Sequence, residues 1–388
     1  MRVPLQSAAA VCLASALTLL GGAAQAASLT SAPFGRTTDG RAVTRYTMTS
    51  TDGVRVQFMS YGGTITDIVT PDRLGHPGHI VLGFSTLREY ETVGAQNELY
   101  FGALLGRYTN WINRGRFTLD GKVYRLTLSD PPNTIHGGVK GFDKRVWHVQ
   151  PDATSGRIVG AVLTYTSPGG EEGFPGTLKV RVTYTLSDDG AFALHYQATT
   201  DKDTVVTLTN HLNFNLAGAG SPSSVLQQTL MVNADKYLPT DKTQIPMGRL
   251  APVEGTPFDF RRPTAIGVHI RDHNAQLAVE GGYDQEWVLN KHGDVSQPQL
   301  AARVYDPGSG RTLECLTTEL GVLSYTGNDF DGTVAGVGGR YPHYGAFTLE
   351  TQHFPDSPNH PQFPTTELEP GQVYDSTTIF RFSVQKEE

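Results

Sequence analysis

Residues 178–198 read LKVRVTYTLSDDGAFALHYQA, and this stretch decides the fold class. Apolar and polar side chains alternate over residues 178–186 and again over residues 192–198. A period of two places successive side chains on opposite faces of a β-strand, so each run predicts a half-buried strand. The two aspartates and Gly190 between the runs predict a tight turn, because glycine adopts positive φ without steric cost. The stretch therefore predicts an antiparallel hairpin.

The same pattern recurs along the chain. Residues 54–58 alternate in the same way, and residues 117–126 form two short runs around Asp120 and Gly121. The 43 glycines and 23 prolines interrupt the chain every ten or so positions, and only residues 85–92 suggest one or two helical turns. Short strands between turn signals predict an all-β sandwich or barrel. Because no linker or low-complexity tract divides it, we expect residues 27–388 to form one domain.

The first 26 residues have the pattern of an export signal. Arg2 precedes an apolar run over residues 8–20, and small residues follow at positions 24–26. A charged start, an apolar run and an A-x-A site predict a signal peptide over residues 1–26 that is cleaved before Ala27. An N-terminal anchor is the alternative. We therefore expect an exported protein, periplasmic or secreted, that has no membrane partner after cleavage.

Charge and cysteine content exclude several classes. The formal net charge of −7 repels phosphate backbones, so a nucleic-acid partner is not expected. After signal cleavage only Cys315 remains, which leaves neither an internal disulfide nor a C-x-x-C motif. The histidine pairs His76/His79 and His353/His360 lie among prolines that oppose the helix needed to align them. We therefore predict no metal site, and no dinucleotide or phosphate motif predicts a cofactor.

Two histidines occur in unusual local sequences. His136 precedes Gly137 and Gly138, and glycines allow a backbone to approach a ligand closely. His211 lies in TNHLNFNL, residues 209–216, where amides alternate with apolar side chains. Such polar groups on a buried strand need partners or a ligand. The alternatives are an ordinary loop for His136 and an internally satisfied core network around His211.

Carboxylates form the second group of candidates. Asp284 and Glu286 have the same parity, so on a strand they would share one face, although a solvated turn is the alternative. Glu350 ends the apolar run 344–349 and precedes a proline-rich loop. Burial there would raise the pKa of its carboxyl and make it a better base near neutral pH.

Together these segments resemble the aldose 1-epimerase, or galactose mutarotase, family. The similar segments follow the family's order and cover nearly the whole chain after the signal: 61–69, 106–110, 135–138, 141–147, 173–176, 209–211, 255–259, 282–284, 325–328 and 349–352. Each segment alone is a weak indication, but their number and order carry the resemblance.

The resemblance implies a large antiparallel β-sandwich with a cleft for one monosaccharide. It implies that the α and β anomers of a free aldose are interconverted by acid/base ring opening, with no cofactor and no metal. Carried over by position, Glu350 is the base and His211 the acid. We expect a monomer or weak dimer. The residues expected to contact the sugar are His136, Asp284, Asn110, Trp111 and Gln352.

Several positions depart from the family pattern. Trp111 stands where arginine is usual, and Asn213 stands where an aromatic is common. Leu323 and Ser324 replace a glutamine and an aromatic, and Gln285 replaces a frequent histidine. The proton-transfer pair is kept while sugar contacts change, so the preferred sugar is left open. A non-catalytic sugar-binding protein, and an epimerase or lyase for a non-standard sugar, remain alternatives.

Overall fold

The computed structural model describes residues 27–152 and 157–385, so the predicted signal peptide lies outside the described residues. Strands dominate the described chain. They are β1 Ser28–Arg36, β2 Ala42–Thr49, β3 Arg55–Met59, β4 Ile65–Pro71, β5 Pro77–His79, β6 Leu104–Leu105, β7 Arg116–Leu119, β8 Lys122–Arg125, β9 His148–Asp152, β10 Ile158–Ser167, β11 Leu178–Ser187, β12 Ala191–Thr200, β13 Thr204–Val205, β14 Thr209–Asn210, β15 Asn213–Phe214, β16 Thr229–Val232, β17 Ala234–Tyr237, β18 Ala251–Pro252, β19 Thr264–Ala265, β20 Asp284–Leu289, β21 Gln299–Tyr305, β22 Arg311–Thr317, β23 Gly321–Tyr325, β24 Ala335–Gly336, β25 Gly339–Arg340, β26 Phe347–Thr348, β27 Glu350–Gln352, β28 Glu367–Leu368 and β29 Tyr374–Val384.

Helices are few and short in the described residues. The α-helices are α1 Leu87–Glu89 and α2 Ala275–Glu280; a π-turn spans Tyr90–Gly94, and 3-10 turns span Asn113–Gly115, Phe142–Lys144, Glu171–Gly173, Val225–Gln227 and Ser357–Asn359. The helical turn predicted near residues 85–92 is confirmed, and a capping box between Thr86 and Glu89 begins it. Within the described ranges, no helix has the length and apolar character needed to cross a bilayer.

The predicted hairpins are confirmed. β11 pairs antiparallel with β12, and the alternate residues of β11, from Leu178 to Leu186, are buried. β7 pairs with β8 across Asp120 and Gly121, whose φ angles are 51° and 70°. Two consecutive positive φ values are the geometry of the tight turn that matches the twist of a hairpin.

Three larger sheets enclose the main core. They are a five-stranded meander, β1 to β5; a nine-stranded sheet in the order β19-β16-β21-β22-β29-β12-β11-β10-β9; and a five-stranded sheet in the order β18-β17-β20-β23-β27. One hydrophobic cluster takes side chains from all three sheets, for example Phe58, Tyr184 and Trp287. The named strand pairs are antiparallel, for example β3 with β4 and β22 with β29. The all-β antiparallel sandwich is thereby confirmed.

The sheet that contains β20, β23 and β27 has two different faces. Trp287 and Val322 lie opposite each other and pack into the main core. On the other face, Glu286 pairs with Leu323, which in turn pairs with Glu350. Because strand side chains alternate between faces, the apolar face is buried in the core and the second face can carry carboxylates. This second face positions the candidate site.

Candidate active site

A cleft of about 500 Å³ lies over the carboxylate-bearing face of this sheet. Its wall includes six of the seven predicted site residues within a larger group of lining side chains. The lining residues include Glu98, Tyr100, Asn110, Trp111, Asp130, His136, His211, Asn213, Lys242, Gln244, Glu280, Asp284, Leu323, Tyr325, Asp329 and Glu350. A volume of this size is that of a small-molecule site.

Glu350 and His211 meet at the base of the cleft. Oε1 of Glu350 lies 3.5 Å from Nε2 of His211, and the two side chains are 2% and 12% exposed. Oε2 of Glu350 is buried and has no hydrogen-bond partner among the described residues. Burial raises the pKa of the Glu350 carboxyl, although the neighbouring His211 opposes part of that effect. A carboxylate of this kind is poised to take a proton from a hydroxyl in the cleft.

Two short strands on either side of His211 hold it in place. β14, which precedes it, pairs with β6, and β15, which follows it, pairs with β26. The His211 amide donates to the Ala103 carbonyl at 3.0 Å, and the His211 carbonyl accepts from Gly102 at 2.8 Å. Gly102 has φ of 64°, and a Cβ there would lie 1.9 Å from the Ile65 carbonyl oxygen, so the close approach requires glycine.

His136 is the second imidazole of the site. Its φ is 51°, and the following Gly137 also has positive φ, so this turn aims the ring into the cleft. The His136 ring centroid lies 5.4 Å from that of His211 and 4.7 Å from that of Tyr100. Burial first, and then the positive charge available on His211, lowers the pKa of His136 well below its ordinary value. His136 is therefore a neutral hydrogen-bonding group.

Asn110 and Trp111 form one side wall. Asn110 has φ of 65°, which asparagine tolerates better than most residues, and its main-chain N–H donates to Nδ1 of His136 at 3.2 Å. The Trp111 ring is 8% exposed, and its Nε1 donates to Oδ2 of Asp130 at 2.8 Å. That bond holds an aromatic surface where the family usually has a guanidinium.

Asp284 lies opposite Tyr325 in the strand register, so both residues share the cleft face. Burial raises the pKa of Asp284 well above its ordinary value, and the negative charges of Glu280 and Glu350 add to this effect. Glu280 comes from the end of α2, a helix of six residues whose sequence is too short to show a helical period. Carboxyl groups of this kind form strong hydrogen bonds with sugar hydroxyls.

Gln352 is not a cleft residue, and its predicted sugar contact is corrected. The side chain is fully buried, and its Nε2 donates to Oε2 of Glu286 at 2.8 Å. Gln352 has the same parity as Glu350 and therefore shares its face of the sheet. Its side-chain amide, however, is hydrogen-bonded to the Glu286 carboxylate and not directed at the cleft. Glu286 is also buried, and burial raises the pKa of its carboxyl well above the ordinary value.

The sequence left two interpretations of the amides around His211: contact with a ligand, or an internally satisfied core network. The structure shows both. Asn210 donates to the Gly102 carbonyl, and Asn215 donates to the Gly345 carbonyl and accepts from Gln228, so both belong to the core network. Asn213, in contrast, lines the cleft and contacts Nδ1 of His211. The sequence indicated it twice, as one of the amides in residues 209–216 that need a partner or a ligand and as a departure from the family.

Tyr100 and its neighbours were missed by the sequence analysis. Glu98, Tyr100 and Gln244 line the cleft, and each has positive φ without being glycine. Such backbone strain concentrates at functional sites, but no residue pattern in the sequence indicates it. Tyr325 could have been found, since it belongs to one of the segments that resemble the family.

The site also has one donor set of the kind that metals use. The residues are His136, His211 and Glu350. Each offers one possible ligand atom, and these three atoms lie within 4.8 Å of one another. However, Nδ1 of each ring faces a protein nitrogen, from Asn110 and Asn213 respectively. A neutral ring whose Nδ1 accepts a hydrogen bond carries its proton on Nε2, the atom that a metal would need. The hydrogen bonds at both rings therefore oppose metal ligation through Nε2, and the absence of a metal stays a prediction.

A buried carboxylate facing an imidazole in a small polar cleft defines an acid/base enzyme for a small polar substrate. The family model described as aldose 1-epimerase matches residues 44–381. The galactose mutarotase of Sus scrofa is 44% identical over 92% of this chain and 99% of its own length. The aldose 1-epimerase of Escherichia coli K12 is 35% identical over 89% and 96%.

A solved structure extends the comparison to the fold. The galactose 1-epimerase of Lactobacillus acidophilus has a TM-score of 0.80 at 25% identity, over 92% of this chain and 99% of that chain. The chain belongs to the aldose 1-epimerase family. The resemblance stated from sequence and the predicted class, an isomerase of the aldose 1-epimerase type, are confirmed.

Proposed function

We propose that Glu350 and His211 interconvert the α and β anomers of a free aldose. Glu350 takes the proton of the anomeric hydroxyl, so the C1–O1 bond becomes a carbonyl and the bond from C1 to the ring oxygen breaks. His211, as imidazolium, gives a proton from Nε2 to the ring oxygen. Rotation about C1–C2 and the reverse transfers close the other anomer. The reaction is balanced by two proton transfers and uses neither water nor an electron acceptor.

The single observation that carries this proposal is the 3.5 Å separation between the Glu350 carboxylate and Nε2 of His211 in one sugar-sized cleft. A binding protein would not need a buried base with an unpartnered oxygen beside an imidazole. His136, Asp284 and Asn110 are proposed to hold the sugar hydroxyls, and Trp111 to contact its C–H face. The non-catalytic alternative has no comparable observation in its favour.

A neutral aldohexose is the proposed substrate, and galactose is the first to test because several relatives are named galactose mutarotase. The test is anomer-exchange NMR over a panel of aldoses, measured both without and with EDTA. Glu350→Gln and His211→Asn should each lower the exchange rate at least about 100-fold, the usual lower scale for a positioned acid or base. Exchange at the native rate in either variant would contradict the assignment, and loss of exchange in EDTA would contradict the metal-free mechanism.

We further propose that the chain is exported and that residues 1–26 are removed. The charged start, the apolar run and the A-x-A site support this. Intact-mass measurement of protein from the native host should give a chain that starts at Ala27. A cytoplasmic chain that retains Met1 would contradict the proposal. A monomer or weak dimer stays a prediction, which light scattering can check.

A further inference from the structure

Asn213 is a buried side chain that contacts the imidazole of His211. Its Nδ2 lies 3.0 Å from Nδ1 of His211 and 3.1 Å from the His211 carbonyl oxygen. Asn213 is 1% exposed and belongs to β15, which pairs with β26 through Asn213 and Thr348. The amide therefore has a fixed main-chain position beside one nitrogen of the ring.

These contacts define where the imidazole proton lies. A carbonyl oxygen only accepts, so the amide edge that faces the His211 carbonyl is the NH₂ group. The same NH₂ group then donates to Nδ1, which carries no proton. A neutral His211 ring consequently has its proton on Nε2, the nitrogen that faces Glu350.

The reaction needs the other protonation state as well, and this step rests on the proposed function. A neutral imidazole that gave up its Nε2 proton would become an anion, so the acid must be imidazolium with both nitrogens protonated. The Nδ1–H of that imidazolium needs an acceptor. Rotation of the Asn213 amide about its terminal torsion, which is broad and two-fold, would present Oδ1 to it, and the charge-assisted bond to the imidazolium then offsets the contact of Oδ1 with the His211 carbonyl oxygen. The His211 carbonyl would still accept from Gly102.

We propose that Asn213 is a positioning residue that serves both protonation states of His211, donating to Nδ1 of the neutral ring and accepting from Nδ1 of the imidazolium. The amide offers a donor and an acceptor of equal reach on one rotatable group. Asn213 thereby keeps Nε2 directed at Glu350 throughout the proton cycle.

The contrast with His136 identifies which imidazole can be the acid. Nδ1 of His136 accepts from the main-chain N–H of Asn110 at 3.2 Å, and a peptide group cannot exchange its donor for an acceptor. Asn110 therefore supports only the neutral His136 ring, whereas the Asn213 amide can serve either protonation state of His211. The titratable groups that face His211 are the Glu350 carboxylate, the His136 ring and the Tyr100 ring, whose centroid lies 5.9 Å away.

The experiment compares the pH dependence of kcat in the native chain, Asn213→Asp and Asn213→Leu. A carboxylate accepts but cannot donate, so Asn213→Asp should move the alkaline limb, where the acid loses its proton, about one pH unit upward. Leucine offers neither role, so Asn213→Leu should move that limb downward and lower kcat about tenfold. If the alkaline limb of the pH profile had the same midpoint in all three proteins and only the maximal kcat changed, the inference would be overturned and Asn213 would have a packing role.

A second measurement does not depend on the variants folding. ¹⁵N NMR of the imidazoles in the native chain at pH 8 should show His211 with an unprotonated Nδ1 and a protonated Nε2. The opposite tautomer would overturn the inference. Failure of the proposed function would look different, because the native chain itself would then catalyse no anomer exchange.

Discussion

At the scale of single residues, Trp111 is the departure with the clearest consequence for the substrate. The ring lines the cleft and is held by its bond to Asp130. Trp111→Ala should raise KM for a hexose about fivefold with little change in kcat, because packing against an aromatic face contributes about 1 kcal/mol. Trp111→Phe keeps a ring and should retain most of the affinity. An unchanged KM in Trp111→Ala, measured by anomer-exchange kinetics, would exclude a sugar contact.

Glu350 makes the activity dependent on pH on the acid side. Burial raises the pKa of its carboxyl above the ordinary value of 4.5. The base must be ionised, so kcat/KM should fall as the pH drops through this raised pKa, with a midpoint above pH 4.5. The rate of spontaneous mutarotation is measured at each pH and subtracted. A midpoint at or below 4.5 would mean that Glu350 is not desolvated.

Gln352 should affect stability more than binding. Gln352→Leu removes the donor to the buried Glu286, and an unsatisfied buried group costs about 1–3 kcal/mol. Urea unfolding should show that loss while KM stays nearly constant. Gln362→Leu, at an exposed position, is the matched control and should change the free energy of unfolding by less than about 0.5 kcal/mol. A large rise in KM at native stability would restore the sugar contact predicted from sequence.

At the scale of secondary-structure elements, the position of His211 depends on the close contact between residues 102–103 and the connection from β14 to β15. Gly102→Ala places a Cβ against the Ile65 carbonyl and also carries the cost of positive φ in a residue other than glycine. Gly255→Ala is the control, because its φ of 72° is similar but nothing lies within 4 Å of the added Cβ.

Both alanine variants should therefore lose the roughly 1–2 kcal/mol associated with the left-handed conformation. Gly102→Ala should lose more, and its exchange rate should fall because the His211 main chain moves with residues 102–103. Urea unfolding and NMR exchange measure the two effects. If the two variants had the same free energy of unfolding, the contact between residue 102 and the Ile65 carbonyl would not require glycine.

At the scale of the whole molecule, charge should select neutral sugars. The formal net charge is −7. Among the lining residues, Lys242 is the one lysine or arginine, whereas the carboxylates are Glu98, Asp130, Glu280, Asp284, Asp329 and Glu350. A phosphate group would meet repulsion and find no cluster of cations.

We therefore expect kcat/KM for glucose 6-phosphate to be at least about tenfold below that for glucose, and the ratio to narrow as salt screens the charges. Anomer-exchange NMR at low and high salt measures both sugars under the same conditions. A phosphorylated sugar that is preferred at low salt would contradict this account of the cleft.

The fold class and the placement of Glu350 and His211 in one cleft could both be predicted from the sequence. Alternation and turn chemistry are local properties, so residues 178–198 and the turn at Asp120 and Gly121 were predicted correctly. Glu350, His211, His136 and Asp284 were found because each lies in a distinctive local segment. The bounds of the shortest strands and the helix α2 could not be found, because a few residues are too few to show a period.

The sequence by itself determined which residue types were available: strands that alternate, a carboxylate after an apolar run and an imidazole among amides. Only the tertiary structure decided which of these face the cleft. Gln352 lies two residues from Glu350 and was expected beside the sugar, yet Glu286 from another strand occupies its amide. Tyr100 carries no local signal, and the segment around Asn213 indicated buried amides without showing which of them reaches the His211 ring, because these roles arise from contacts and backbone angles that tertiary packing imposes. Side-chain partners across strands depend on register and packing between distant segments, which local patterns do not encode.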